Sequence, residues 1–282
     1  MTDVHVDTAQ ARFAVRAVGN PGGPVVVALH GFADHPATFD ALGRHLAAHG
    51  YVTVAPYLRG HAPSPLDGGP SLSAHAADLH ALVDELSPDR PVLLIGHGEG
   101  AWVVHQALGR GMKAHKVVAL GAAGPDVVQH LMRRDPRVAW SMRHVLLPRM
   151  GSWGRRRILG SDAQAITALW DRWSPGYRPQ TEHMERIAAT FRSSGSGPLG
   201  LLDLASAEPG SAVARESTLC LMGENDAAVP PHLLPGRHSM LTGRRSTLSG
   251  AHMRVLPGVG HFPHLEAPEV TFDAITQWFA QP

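Results

Sequence analysis

The sequence predicts a doubly wound, mostly parallel α/β sheet carrying a helical insertion, and three observations support that expectation. Six short apolar runs recur along the chain, helix-like intervals separate most of them, and between about Gly124 and Ala214 the strand signal gives way to helical pieces alone.

The runs are PVVVALH (24–30), YVTVAPY (51–57), PVLLIGH (91–97), KVVALGA (116–122), STLCLMG (217–223) and HMRVLPG (252–258). Each is continuously apolar rather than alternating, the signature of a strand covered on both faces, and helical intervals between such strands imply parallel crossovers. Between the fourth and fifth runs come DVVQHLMRR, RVAWSMRHVLL, DAQAITALWDRW and TEHMERIAATF, all helix-like. The expected organisation is a core of residues 1–123 and 214–282 with a helical cap, 124–213, over the carboxyl edge of the sheet, where the functional groups of such sheets gather. SSGSGPLG (193–200) reads as a flexible link back to the core.

Bulk properties exclude several classes. With 282 residues, 44% hydrophobic and 17% charged, the chain is long enough and apolar enough to bury a core and is not disordered. A formal net charge of +1, without a Lys/Arg-dense tract, gives no reason to expect nucleic acid. The charge is unevenly spread: residues 124–192 hold twelve Arg against six Asp plus Glu, a balance of +6 that leaves −5 elsewhere. That is either a solvated basic face or a surface attracting an anionic substrate, or an acidic carrier protein delivering one. The start, MTDVHVDTAQARFAV, lacks the apolar stretch of a signal peptide. No window approaches the roughly 18 to 20 apolar residues of a membrane span. With the single cysteine, Cys220, this leads us to expect a cytoplasmic protein and a small-molecule substrate. The oligomeric state stays open.

Five segments point to chemistry: LHGF (29–32), LRGHAPS (58–64), GHGEG (96–100), GENDAAVP (223–230) and PGVGHFPHLEAP (257–268). In this order they resemble the α/β-hydrolase superfamily across nearly the whole chain. The resemblance implies an α/β-hydrolase fold in which GHGEG is the nucleophile elbow, Asp226 the acid and His261 the base. It also implies an oxyanion hole made by the backbone N–H groups of Phe32 and Glu99. His30, His61 and His97 then serve as loop-bracing hydrogen bonders, and Cys220, inside a strand, is buried and inert.

The departure from the pattern is Gly98, which stands at the nucleophile position without a side chain. Glycine adopts the strained elbow conformation easily, so the turn is expected to survive while a seryl or aspartyl intermediate is lost. Haloalkane dehalogenases and epoxide hydrolases of this fold carry aspartate there, which Gly98-Glu99 lacks, and Tyr177 is the cap's only tyrosine. Three readings remain. The first is an enzyme without a covalent nucleophile, in which Asp226 orients His261 as general base for elimination, cyclisation, isomerisation or direct hydrolysis. The second is a serine esterase or thioesterase whose nucleophile has been replaced. The third is a non-catalytic binding protein, a role known from a family of this fold that also carries glycine at this position. Glu99 is a second candidate acid or base if desolvation raises its pKa, or else a pairing residue. Phe32, Trp140, Trp153, Trp170 and Trp173 are the candidate substrate-binding aromatics; if several face inward, they favour a flat, apolar substrate. No metal, nucleotide or flavin motif is present, so no cofactor is expected.

Overall fold

In a computed structural model, which describes residues 1–67, 69, 71–153, 163–204, 207, 217–234 and 252–282, eight strands form one sheet in the order β1-β2-β4-β3-β5-β6-β7-β8. The six expected strands are β3 (Val25–Leu29), β4 (Val52–Pro56), β5 (Val92–His97), β6 (Ala114–Leu120), β7 (Thr218–Gly223) and β8 (His252–Leu256). All pair in parallel. Two strands outside those six runs precede them, the mostly exposed β1 (Thr2–Asp7) and β2 (Arg12–Val18), which buries Phe13, Ala14 and Val15; β1 pairs antiparallel with β2, and β2 antiparallel with β4.

Two-sided burial explains the continuous apolar runs. On β3, Val27 and Leu29 enter one core cluster with Leu79, Trp102 and Val104, while Val26 and Ala28 enter another with Leu42, Ile275 and Trp278. The first cluster packs α2 (Leu72–Leu86) and α3 (Glu99–Gly109) on one face, and the second packs α1 (Asp40–Ala48) and the C-terminal helix (Pro268–Phe279) on the other. Residues that alternate in direction are thus apolar in both directions. Cys220 lies in β7 with its thiol pKa pushed up to about 12 by burial, as an inert core cysteine requires.

Between β6 and β7 the described chain is helical: α4 (Pro125–Arg134), α5 (Pro136–Ser141), α6 (Arg143–Leu146), α7 (Ala163–Trp173) and α8 (Thr181–Ser194). Residues 208–216, where the expected cap boundary falls, lie outside the described residues, as do Arg155, Arg156 and Arg157 of the basic stretch. The segment rests on the strand ends through polar contacts: the Trp170 indole N–H donates to the Ala33 carbonyl at 2.8 Å, and the His183 ring meets Asp34 at 3.1 Å.

The expected flexible link is instead ordered structure. Helix α8 runs to Ser194, stops at Gly195 in the left-handed region, and is followed by a 3-10 turn over Gly197–Leu202. The backbones of Gly60 and Gly197 touch so closely that a Cβ at Gly60 would lie 2.5 Å from the Gly197 carbonyl oxygen. Close backbone approach, not flexibility, accounts for the glycine there. Among the described residues no helix is long and apolar enough to cross a membrane.

Candidate active site

The carboxyl ends of β3, β5, β6, β7 and β8 deliver the candidate residues to one place. Gly98 follows β5 with φ 53° and ψ −122°, and α3 begins at the next residue. Both flanking glycines of GHGEG are sterically required: a Cβ at Gly96 would lie 2.4 Å from Ala101 Cα, and one at Gly100 would lie 2.3 Å from the Leu29 carbonyl oxygen. Gly98 differs. A Cβ there would meet its nearest neighbour, His261 Nε2, at an ordinary 3.6 Å. The space in front of Gly98 is therefore open and aimed at the base.

His261 and Asp226 come together as expected. The His261 Nδ1 lies 3.0 Å from Asp226 Oδ2, and the other carboxylate oxygen accepts the backbone N–H groups of Ala228 and Val229 at 2.8 and 2.9 Å. A carboxylate only accepts, so Nδ1 carries the hydrogen and Nε2 presents its lone pair toward Gly98. Burial alone would lower the His261 pKa. The Asp226 charge and hydrogen bond, helped by Glu99 and Glu266, outweigh it and raise the pKa above 6.5.

Sequence reasoning gave no role to the residues that hold the histidine loop. The His261 backbone N–H donates to Ser174 Oγ at 2.6 Å, and the Ser174 hydroxyl donates to Glu266 Oε1 at 2.5 Å. The same carboxylate accepts from the Gly260 and Phe262 N–H groups at 2.8 and 2.9 Å. Glu266 stands in the quoted histidine motif and was legible there; Ser174, after α7, has no motif. Removing one carboxylate that serves three donors is expected to cost about 1–3 kcal/mol and loosen the base. Glu266→Ala should therefore lower Tm and turnover together, whereas Glu266→Gln, which keeps the acceptor oxygen, should lose less of both.

Glu99 departs from its expected part. Its carboxylate sits where the oxyanion of a substrate would be expected: Oε2 accepts the Phe32 N–H at 3.0 Å. Its Oε1 lies 3.2 Å from Nε2 of His144, the buried histidine of α6. One of the two amides assigned to the oxyanion hole, that of Phe32, is thus held by an internal anion. Burial pushes the Glu99 pKa up, but His144 and the backbone N–H groups of Phe32 and Glu99 outweigh it and lower the pKa below 4.5, so of the two alternatives Glu99 is the pairing residue. Glu99 is ionised at neutral pH and is no proton donor.

The aromatic candidates divide. Trp140 and Trp153 are 70% and 56% exposed. Val138 and Met142, four residues apart, form the buried side of this short turn, which leaves the intervening Trp140 outward, its ring 4.4 Å from the Arg143 guanidinium carbon. Trp170 is buried as core, stacked on Phe262 with centroids 3.7 Å apart. Only Trp173 reaches the site, 5.4 Å from the His261 ring and 5.0 Å from His144. Phe32 is buried edge-on against Phe191 at 5.6 Å. The cavity lined by Gly98, Glu99, Trp102, Met142, His144 and His261 measures about 10 Å³. That is about the least a single water needs, so among the described residues no broad aromatic cleft opens in front of Gly98.

The sequence profile of the alpha/beta hydrolase family matches residues 26–274. The chain is 26% identical to the 2-(acetamidomethylene)succinate hydrolase of Mesorhizobium japonicum, over 97% of this chain and 93% of that one. It is 33% identical to lipase LipV of Mycobacterium tuberculosis over 120 residues, 42% of this chain, and the match spans only 40% of the lipase's length. Potato epoxide hydrolase I shares the fold, with a TM-score of 0.76, 18% identity, and coverage of 99% of this chain and 98% of that one.

Proposed function

The chain belongs to the alpha/beta hydrolase family and is an enzyme of that superfamily, and from that premise we propose that it hydrolyses a small, largely apolar organic substrate by general-base catalysis without a covalent intermediate. The observation that carries the reading is His261 Nε2, 3.6 Å from where a side chain of residue 98 would begin, with Asp226 behind it at 3.0 Å. A water in that space gives its proton to Nε2 while its oxygen bonds to the electrophilic carbon. Asp226 stabilises the imidazolium, which then returns the proton to the leaving group. Trp102, Met142, Ala122 and Val229 give the cavity an apolar wall.

Helices α4–α8 act as the cap in this reading. A substrate larger than water enters when α6 withdraws, and because α6 carries His144, the partner of Glu99, the same movement releases Glu99 from its place on the Phe32 amide. Oxyanion stabilisation then becomes available with cap opening. The full-length likeness to a named hydrolase supports hydrolysis over elimination, cyclisation or isomerisation.

The test is turnover of short-chain activated esters followed by intact-mass measurement. Turnover with no acyl adduct at any time supports the proposal, and a mass increase equal to the acyl group refutes it. A second reading, a serine esterase or thioesterase whose nucleophile has been replaced, is favoured by the room for a Cβ at Gly98 beside an otherwise complete base. It predicts no turnover until serine is supplied. A ligand bound and released unchanged with serine in place would instead favour a binding protein.

A further inference from the structure

Three side chains from separate parts of the chain converge one residue away from the elbow. They are Asp34 in the loop after β3, His97 at the end of β5, and His264 in the short helix Pro263–Glu266. All are buried, and one carboxylate oxygen and one ring nitrogen from each histidine lie within 4.8 Å of one another. The histidines show no ligand spacing in sequence because positions 34, 97 and 264 meet only in the fold.

Their hydrogen bonding is divided between an outer and an inner side. On the outer side every atom has a partner: His97 Nε2 lies 3.1 Å from the His261 carbonyl oxygen, and His264 Nε2 lies 2.7 Å from Thr38 Oγ1. Asp34 Oδ1 accepts the His35 N–H at 2.8 Å and meets the His183 ring at 3.1 Å. On the inner side Asp34 Oδ2, His97 Nδ1 and His264 Nδ1 have no hydrogen-bond partner. A carbonyl only accepts, so His97 Nε2 must carry a hydrogen, and a neutral ring then has only a lone pair at Nδ1. That lone pair faces Asp34 Oδ2 at 3.4 Å. Two acceptors opposed in a buried site repel unless positive charge lies between or beside them.

We propose that Asp34 Oδ2, His97 Nδ1 and His264 Nδ1 bind a divalent transition-metal ion of the zinc class. Two imidazoles and one carboxylate suit such an ion and not calcium or magnesium, which take oxygen ligands. Zinc bonds of about 2.0–2.1 Å put tetrahedral ligands about 3.3–3.4 Å apart, and the Asp34–His97 separation is already 3.4 Å. The outer hydrogen bonds supply the support that ligating histidines and carboxylates require. A groove of about 350 Å³ lined by Thr38, Tyr177, His183 and His264 lies on the outer side of His264, so an ion reaches the buried inner atoms as the chain folds around it. The ion fixes the His97 tautomer whose Nε2–H holds the His261 carbonyl, and so braces the base loop without touching substrate.

The test is elemental analysis of protein refolded with excess Zn²⁺ and desalted, with Co²⁺ substitution read by its visible ligand-field bands. The expected result is about one equivalent of zinc, a tetrahedral or five-coordinate cobalt spectrum, and a higher Tm with metal than after chelation. His264→Gln should lose the cobalt bands, and His5→Gln, an exposed control, should keep them. Should His264→Gln fold poorly, ¹⁵N NMR of the native protein decides. With zinc absent and then added, the His97 Nδ1 resonance must move to a metal-bound position. Less than a tenth of an equivalent after refolding, or a His97 ring carrying hydrogens on both nitrogens at pH 8 in the presence of zinc, overturns the proposal. None of these measurements involves substrate, so they stand or fall separately from the proposed hydrolysis.

Discussion

Gly98→Ser should create ester hydrolysis through an acyl-enzyme, at a rate exceeding that of the native protein by at least about a hundredfold on p-nitrophenyl esters. The geometry is set for it: the new Cβ would stand 3.6 Å from His261 Nε2, and the next bond carries the hydroxyl into hydrogen-bonding range. The cost is backbone strain: φ 53° with ψ −122° is sparsely populated by non-glycine residues and costs about 1–3 kcal/mol. Gly98→Ala bears the same strain without a hydroxyl and should gain nothing, which separates nucleophilic chemistry from a conformational effect. The serine variant should still be slowed by the Glu99 carboxylate on the Phe32 amide. Adding Glu99→Ala frees that donor, and one oxyanion donor is worth about 10²–10³ in rate. A burst of product, an acyl mass increase, and a further rise in the double variant are the readouts. If the serine and alanine variants are equally slow, the space before Gly98 is not a nucleophile position.

The parallel strands were legible because burial on both faces removes polar residues from them, and the site loops were legible because glycines punctuate the strand ends. The first two strands were not. In β1 every residue but Val6 is exposed, and the strand is held by backbone pairing to β2 and by Arg16, which bonds Asp3 and Asp40. Such an edge leaves no hydrophobic pattern. In the site, Asp226 and His261 were readable from their motifs, but the occupant of the oxyanion position was not. Glu99 and its partner His144 are far apart in the chain and meet only because α6 folds down on α3. The tryptophans failed for another reason: composition places aromatics in a helix without saying which side of the helix they occupy. Trp140 and Trp173 lie in similar sequence surroundings and end on opposite sides of the protein boundary.

His261→Ala should reduce turnover by about 10²–10⁴, the usual worth of a positioned general base. The pH dependence makes the assignment sharper. The groups facing the ring are the carboxylates of Asp226, Glu99 and Glu266, the His97 ring at 4.9 Å and Trp173 at 5.4 Å, and their balance raises the His261 pKa above 6.5. Only the neutral ring accepts a proton, so kcat/KM should rise with pH and reach half its maximum above pH 6.5. Stability runs the other way. A histidine whose pKa is raised on folding contributes its full stabilisation below the unfolded value, and this is lost as pH rises through the folded value. The contribution of His261 to stability is therefore fullest where the ring is protonated, while activity is fullest where it is not; the buried His30, His35, His61, His75 and His264, whose pKa values burial lowers, oppose that contribution as pH falls. Asp226→Asn removes the charge that sustains the imidazolium, so the midpoint should move to lower pH while the maximal rate falls, because the ring is no longer held in the required tautomer. A merely structural histidine would give a loss of Tm without moving the midpoint. Turnover undiminished in His261→Ala, or a profile falling as pH rises from 6 to 8, would remove His261 from the role of base.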